Sequence, residues 1–306
     1  MFPGQGSQFP GMGSELCRHL PYVRRRLEQA SAVTGLDLIH LVCRADGETL
    51  ARPDVAQVAV YALSTAVAEY LMEQGLRPWA VVGHSLGEYS ALVVAGCLDW
   101  ERGLRLVWLR GQAMAEAAAA CPGTMAAVMG LSDRVVADLC RQAAATHGCV
   151  VVANYNSPVQ VVISGAVAAV EAVSTLARQA GALSVRFLAV GGAYHSPLMA
   201  PAQARLAPHL DRTPLGKPQV LLASSTTGDV VVDPEVYRQN LLEQITRPVL
   251  WRHAVGTLLA LGATEFVEVG PGRVLCGLVR QIAPGARTAT AGDMAGCQRL
   301  IRQAVV

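Results

Sequence analysis

Gly83-His84-Ser85-Leu86-Gly87 carries the pattern G-x-S-x-G. A strand-like run, Trp79 to Val82, precedes it, and a helical stretch from Glu88 follows. A serine on a tight strand-to-helix turn has its hydroxyl projected outward, and the flanking glycines let neighbouring backbone approach. The helix N-terminus offers free N–H groups and a positive dipole end to a developing oxyanion. The chemistry this arrangement suits is acyl transfer, with Ser85 as the nucleophile. The competing reading is a glycine-rich turn with an incidental serine. The strand before and the helix after favour the nucleophile.

A serine at its free pKa needs a base. Histidines stand at positions 19, 40, 84, 147, 195, 209 and 253. His84 adjoins Ser85, so its side chain is expected to point elsewhere. His253 sits on an amphipathic helix and reads as a surface or packing residue. His195 lies in the loop Gly191-Gly192-Ala193-Tyr194-His195-Ser196-Pro197. Such a loop histidine is either a general base or a satisfied structural residue, and spacing alone leaves both open. Arg110 follows Leu104, Leu106, Val107, Trp108 and Leu109 on an apolar helix. A partly buried guanidinium calls for an anionic partner, and its planar fork fits a carboxylate. The alternative is an arginine that snorkels to water or pairs with a local glutamate.

The elements that must hold these residues alternate between short β-type runs and longer helices. Trp79 to Val82, Val220 to Ala223 and Phe266 to Val269 read as strands. Val55 to Met72, Glu88 to Ala95, Arg102 to Ala119 and Trp251 to Leu261 read as helices. This alternation predicts an α/β fold with a mostly parallel sheet. One stretch differs. Met125 to Met129 reads as a strand, and Ser132-Asp133 can cap a helix from Arg134 to Ala145. Val150 to Ala153 and Val159 to Ile163 follow as strands around a turn at Asn154-Tyr155-Asn156-Ser157-Pro158. A helix from Val167 to Ala180 ends at Gly181, and Leu183 to Val190 is the last strand. The order βαββαβ is the ferredoxin-like unit. The expected organisation is a core of residues 1–121 and 191–306 with an inserted subdomain at 122–190.

Composition narrows the function classes. A chain of 306 residues that is 52% hydrophobic can bury a large core and is not a disordered protein. A net charge of +2 provides no basic field for nucleic acid. The longest uncharged run, Gln142 to Val170, contains Asn154, Asn156, Pro158 and Gly165, so it is no spanning helix and no membrane role is expected. The N-terminus lacks the basic and apolar regions of a signal peptide. The eight cysteines form no C-x-x-C, so reduced thiols, a cytoplasmic location and no cysteine metal site are expected. Lys217 is the one lysine among 25 basic residues, which reads as the codon bias of a GC-rich genome.

The chain resembles, almost end to end, the malonyl-CoA:acyl carrier protein transacylase family, which includes acyltransferases serving polyketide synthases. The landmarks are Phe2-Pro3-Gly4-Gln5-Gly6-Ser7-Gln8, Gly83-His84-Ser85-Leu86-Gly87-Glu88-Tyr89-Ser90, and Arg110-Gly111 with Met114. Asn154-Tyr155-Asn156-Ser157-Pro158, His195-Ser196-Pro197-Leu198-Met199 and Glu268-Val269-Gly270-Pro271-Gly272 complete the set. The resemblance implies a hydrolase-like α/β core with a ferredoxin-like insertion. It implies that Ser85 attacks an acyl-CoA thioester and that His195 takes and returns the proton. The N–H groups of Gln5 and Leu86 would form the oxyanion hole. A backbone carbonyl, matched here at Gln244, would orient His195, and Arg110 would bind the free carboxylate of a malonyl-type group.

In the family's polyketide members, malonyl-selective enzymes carry His-Ala-Phe-His before the base and methylmalonyl-selective ones Tyr-Ala-Ser-His. Here the stretch is Gly192-Ala193-Tyr194-His195, with a bulky aromatic of the malonyl type. The Tyr194 hydroxyl leaves room for a polar α-substituent such as hydroxymalonyl. A second departure is that Met1 alone precedes the Phe-Pro-Gly-Gln motif, where the family has a longer apolar strand. The expected activity is ping-pong transfer of malonyl from coenzyme A to the phosphopantetheine thiol of an acyl carrier protein. Coenzyme A enters as the substrate thioester, no metal or redox cofactor is implied, and a monomer is expected. Arg24, Arg25 and Arg26 either steer an acidic carrier or form a solvated helix face. The competing functions are an acyl hydrolase that edits thioesters and a non-catalytic docking module. Intact Ser85, His195 and Arg110 speak against the latter.

Overall fold

The computed structural model describes residues 1–304, a mixed α/β chain that is mostly helical with small sheets. Its strands are β1 (Ala80–Val82), β2 (Gly123–Met129), β3 (Val150–Ser157), β4 (Gln160–Ala166), β5 (Ser184–Phe187), β6 (Leu221–Ala223), β7 (Glu265–Val269) and β8 (Arg287–Ala291). β1 pairs with β6 in parallel, Val82 opposite Ala223. β7 pairs with β8 in parallel, Val269 opposite Ala291.

Residues 1 and 2 join these ladders. Phe2 N–H donates to Val82 C=O at 2.9 Å, and His84 N–H donates to Phe2 C=O at 3.0 Å. Val269 N–H donates to Met1 C=O at 2.9 Å, and the Met1 amine to Val267 C=O at 2.7 Å. The core pairings are therefore parallel, as the alternation predicts.

The helix Pro53–Glu73 runs through this core. Among the described residues it alone is long and apolar enough to cross a membrane, yet 83% of its apolar window is buried inside the protein. That burial supplies the reason for its composition: it packs on all sides, so it is hydrophobic all round. Its main neighbour is the helix Trp100–Ala120, which carries Arg110. Tyr61 bonds back to the Trp100 carbonyl at 2.8 Å, and the Trp100 indole donates to Thr65 at 2.9 Å.

β2 to β5 form a separate antiparallel sheet in the order β3-β4-β2-β5. The helices Asp133–His147 and Val167–Gln179 lie between β2 and β3 and between β4 and β5. The Ser132 side chain caps the first, accepting from Val135 N–H at 3.4 Å. Val136, Cys140, Val170 and Val173 from these helices meet Val128 and Ile163 from the sheet.

Two details depart from the sequence reading. Asn154 to Ser157 are strand, not turn: β3 runs through them and the turn is confined to Pro158 and Val159. Two bulges absorb the irregular residues, and the segment pairs outward as well. Tyr155 N–H donates to Val249 C=O and Val249 N–H to Ala153 C=O, both at 2.8 Å. Tertiary pairing overrides turn-forming composition here. β5 is also shorter than the predicted Leu183 to Val190. Its ladder ends at Phe187 opposite Ala126, after which Leu188 N–H makes a last bond to Met125 C=O at 2.9 Å.

Candidate active site

Ser85 sits at the end of β1 on the turn into the helix Gly87–Val94, with φ +52°. His195, φ +58°, is the only other non-glycine residue at positive φ among the described residues. Such conformations are costly and persist where the surroundings over-determine them. The elbow shows how tightly it is enclosed. A Cβ at Gly83 would lie 2.0 Å from the Gly87 carbonyl carbon, and one at Gly87 would lie 2.1 Å from the Phe2 oxygen.

The two strained residues meet. Ser85 Oγ and His195 Nε2 are 2.8 Å apart. On the far side of the ring, Nδ1 faces the carbonyl oxygens of Gln244 at 2.6 Å and Arg247 at 3.2 Å. Carbonyls only accept, so the proton is assigned to Nδ1 and the Nε2 lone pair faces Ser85. Burial, reinforced by the positive charge of Arg110, pushes the His195 pKa down to about 3. The imidazole is therefore neutral near pH 7 and able to accept a proton.

Arg110 is 1% exposed. Its Nη1 donates to Gln57 Oε1 at 2.6 Å; its Nη2 donates to Gln244 Oε1 at 2.9 Å and to Ser85 Oγ at 3.0 Å. Its Nε is buried without a partner, and no carboxylate pairs with the guanidinium among the described residues. Nearby Glu101 and Glu116 pair with Arg105 and Arg205 instead. Burial lowers the Arg110 pKa from its ordinary value, with Tyr89 and Glu88 acting in the opposite sense. The arginine neither snorkels to water nor pairs locally. It is a buried cation whose partners are neutral.

Ser85, His195 and Arg110 line a cleft of about 330 Å³. One wall comes from the core and the other from the four-stranded sheet through Met125, Asn154 and Val162, with Leu188 just after β5. Gln5 lines the cleft, and Leu86 is the N-cap of the elbow helix. Neither backbone N–H has an acceptor among the described residues. Tyr194 is 5% exposed, with its hydroxyl buried and unpartnered.

The acyl transferase domain family model matches residues 1–299. The chain is 38% identical to the malonyl CoA-acyl carrier protein transacylase of Bacillus subtilis over 293 residues, covering 96% of this chain and 92% of that protein. It superposes on the solved structure of MCAT from Streptococcus pneumoniae with a TM-score of 0.92 at 38% identity, covering 99% of this chain and 98% of that one. It superposes on PlMCAT, a malonyl-transacylase solved with the type II polyketide acyl carrier protein AntF, with a TM-score of 0.95 at 37% identity, covering 99% and 98%. The chain belongs to the malonyl-CoA:acyl carrier protein transacylase family.

Within this transacylase fold the sequence-predicted residues converge. Ser85, His195, Arg110 and the Gln244 carbonyl form one hydrogen-bonded set, and Gln5 and Tyr194 border it. Gly192 and Ala193 are buried beside them. A Cβ at Gly192 would lie 2.7 Å from Ala118 Cβ and 2.9 Å from the Tyr194 ring, so a histidine there would have to displace its neighbours. His253 is exposed and meets the Tyr155 ring edge-on at 6.4 Å, a packing role as expected. His84 turns its ring to Asn156 and not to the Ser85 hydroxyl, as expected. It lines the cleft, bonding Asn156 Oδ1 through Nε2 at 3.0 Å with its ring against Trp251. The reason is that β3 extends past the predicted turn and carries Asn156 to the elbow.

Sequence reasoning missed two members of the transacylase cluster. Gln57 is fully buried and holds Arg110 from the helix Pro53–Glu73. Glu88 is 1% exposed and accepts from Ser225 N–H at 2.6 Å, Ser224 Oγ at 2.9 Å, Thr226 Oγ1 at 3.4 Å and Gln244 Nε2. Burial pushes the Glu88 pKa up, while these donors pull it back. The signal was present: Gln57 interrupts the apolar run Val55 to Val60, and Glu88 opens a helix buried along its first two turns. Among the described residues, no group of three or more His, Cys, Asp or Glu side chains could hold a metal ion.

Proposed function

We propose that this chain transfers a malonyl group from coenzyme A to the phosphopantetheine thiol of an acyl carrier protein. The carrying observation is Arg110, a buried guanidinium hydrogen-bonded only to neutral groups beside Ser85. A fixed cation without a counter-ion suits a substrate that brings its own carboxylate. A neutral acyl group would leave that charge unpaired in the closed site. The names of the relatives, including a malonyl-transacylase solved with a carrier protein, support the same donor and acceptor.

In the first half-reaction Ser85 Oγ attacks the thioester carbonyl and its proton passes to His195 Nε2. The Gln5 and Leu86 N–H groups donate to the developing oxyanion; losing one such donor costs about 2.7–4 kcal/mol of barrier. Collapse breaks the C–S bond, and His195 returns the proton to the departing coenzyme A thiolate. In the second half the carrier's thiol attacks the malonyl-serine and gives its proton to His195. Collapse then breaks the C–Oγ bond and the proton returns to Ser85. The Gln244 and Arg247 carbonyls hold His195 in the accepting tautomer and stabilise its transient positive charge. Each proton and electron pair has a destination on the chain, the thioester or the carrier's thiol.

We assign the catalytic core to residues 1–121 and 191–306 and read 122–190 as a ferredoxin-like subdomain. The strand order β3-β4-β2-β5 with two helices supports that reading. Eight free thiols fit a reducing compartment, the cytoplasm.

Intact mass after incubation with malonyl-, methylmalonyl- or acetyl-CoA tests the proposal. A malonyl adduct that discharges only when a carrier protein is added is expected. Discharge at one rate with or without carrier would identify a hydrolase, and no adduct would refute the enzyme reading. Arg110→Ala should slow malonyl loading by about ten- to hundredfold, the range for a lost charged hydrogen bond, and slow acetyl loading less.

A further inference from the structure

Arg110 can wait for a carboxylate only if its present partners accept hydrogen bonds without neutralising it. Gln57 and Gln244 do this, each turning Oε1 to the guanidinium. An amide can also face the other way, presenting NH2 to the cation. Something must forbid that orientation, and at Gln244 it is Glu88. Its Oε2 accepts from Gln244 Nε2, so Oε1 is left toward Arg110. We infer that Glu88 is a positioning residue that sets substrate selectivity by fixing the amide of Gln244. This inference rests on the reading of Arg110 as the carboxylate site.

The surroundings leave Glu88 little freedom of its own. Oε1 accepts from the Ser225 N–H and the Ser224 hydroxyl, and Oε2 faces Gln244 and the Thr226 hydroxyl. A backbone N–H cannot turn round. The group therefore needs an acceptor at both oxygens, which a carboxylate supplies and a carboxamide does not. Glu88 stands three residues after Ser85, on the first turn of the elbow helix, and Gln244 caps the helix Pro234–Glu243. One carboxylate thus links the nucleophile's helix to the residue whose carbonyl orients His195 and whose side chain holds Arg110. Because Gln244 serves both functions, an error in its amide reaches the arginine without moving the backbone.

Glu88→Gln is the informative variant because it keeps shape and volume. Its oxygen must remain at the Ser225 N–H, so its NH2 faces Gln244 Nε2, donor against donor. Gln244 then meets a donor with a donor in either orientation, at residue 88 or at the guanidinium, and its hold on Arg110 is weakened. The expected result is a rise in KM for malonyl-CoA and a malonyl-over-acetyl loading preference reduced by about tenfold or more. Gln244→Leu removes the amide but keeps the backbone carbonyl, and it should reduce the preference similarly with Glu88 intact. The double variant should match Gln244→Leu alone, since Glu88 acts through the amide.

Arg110→Ala is measured alongside. If it loses the preference while Gln244→Leu keeps it, the inference about Glu88 fails and the carboxylate reading stands, whether or not Glu88→Gln folds. Additive losses in the double variant would also overturn it. If Arg110→Ala itself spares the preference, the carboxylate reading falls and takes the inference with it.

Discussion

Titration of His195 provides a quantitative test of the site. The ring is 5% exposed, and burial with the Arg110 charge moves its pKa from 6.5 to about 3. A base of pKa 6.5 would be mostly protonated at about pH 5 and loading would slow roughly thirtyfold. With a pKa of about 3, roughly one per cent is protonated at that pH, and the rate should stay flat from about pH 5 to about pH 8. Quench-flow measurement of malonyl loading isolates this half-reaction, before the carrier's thiol contributes its own titration. A sigmoidal loss centred near 6.5 would refute the claim that the buried neutral imidazole is the base.

The same shift has a stability consequence of fixed sign. Below pH 6.5 the unfolded chain takes up a proton that the folded site refuses, so the contribution is full above 6.5. It is lost as pH falls from 6.5 toward about 3, at about 1.4 kcal/mol per unit. Between about pH 7 and pH 5, His195→Asn should lose about 2 kcal/mol less than the parent chain in urea unfolding. Equal losses would place the imidazole in contact with solvent.

Two glycines offer steric tests. Gly192→His should lower stability by about 1–3 kcal/mol and displace Tyr194, because its Cβ meets Ala118 and the Tyr194 ring. Adding Ala118→Gly should restore part of the melting temperature, and no gain would place the clash elsewhere. Gly83→Ala sets a methyl against the Gly87 backbone, which no rotamer change relieves. Its cost should exceed about 4 kcal/mol, read as loss of soluble folded protein by circular dichroism; a stable variant would mean that the elbow is looser than described.

Local features of the site were legible in the sequence, and contacts made across the fold were not. The elbow could be read because its strand, glycines, serine and helix are contiguous. The sequence of strands and helices from β2 to β5 was readable from periodicity, but the strand character of Asn154 to Ser157 was not. The composition of that segment is that of a loop, and only pairing with β4 on one side and Val249 on the other makes it strand. His195 was ambiguous from spacing because its orienting partners are backbone carbonyls, which every residue possesses. Arg110 alone read more readily as a side chain that snorkels or pairs locally, and only the family resemblance reversed that. What separates the readings is a pair of amides 53 residues before it and 134 residues after it. Glu88 was visible within a motif yet carried no assigned role, because its partners come from the segment after β6 and from Gln244.

The pairing of Ala153 and Tyr155 with Val249, and of Asn156 with His84, bears on how acyl groups are delivered. These bonds tie the four-stranded sheet to the core beside the cleft. Swinging the walls apart like a jaw would break backbone hydrogen bonds that have no replacement in the interior. Opening the slot at this seam therefore carries a cost that movement of a slender thioester arm does not. A malonyl donor on coenzyme A and an acceptor on a carrier protein present that same arm in turn, so one channel held at this seam suits both halves of the transfer.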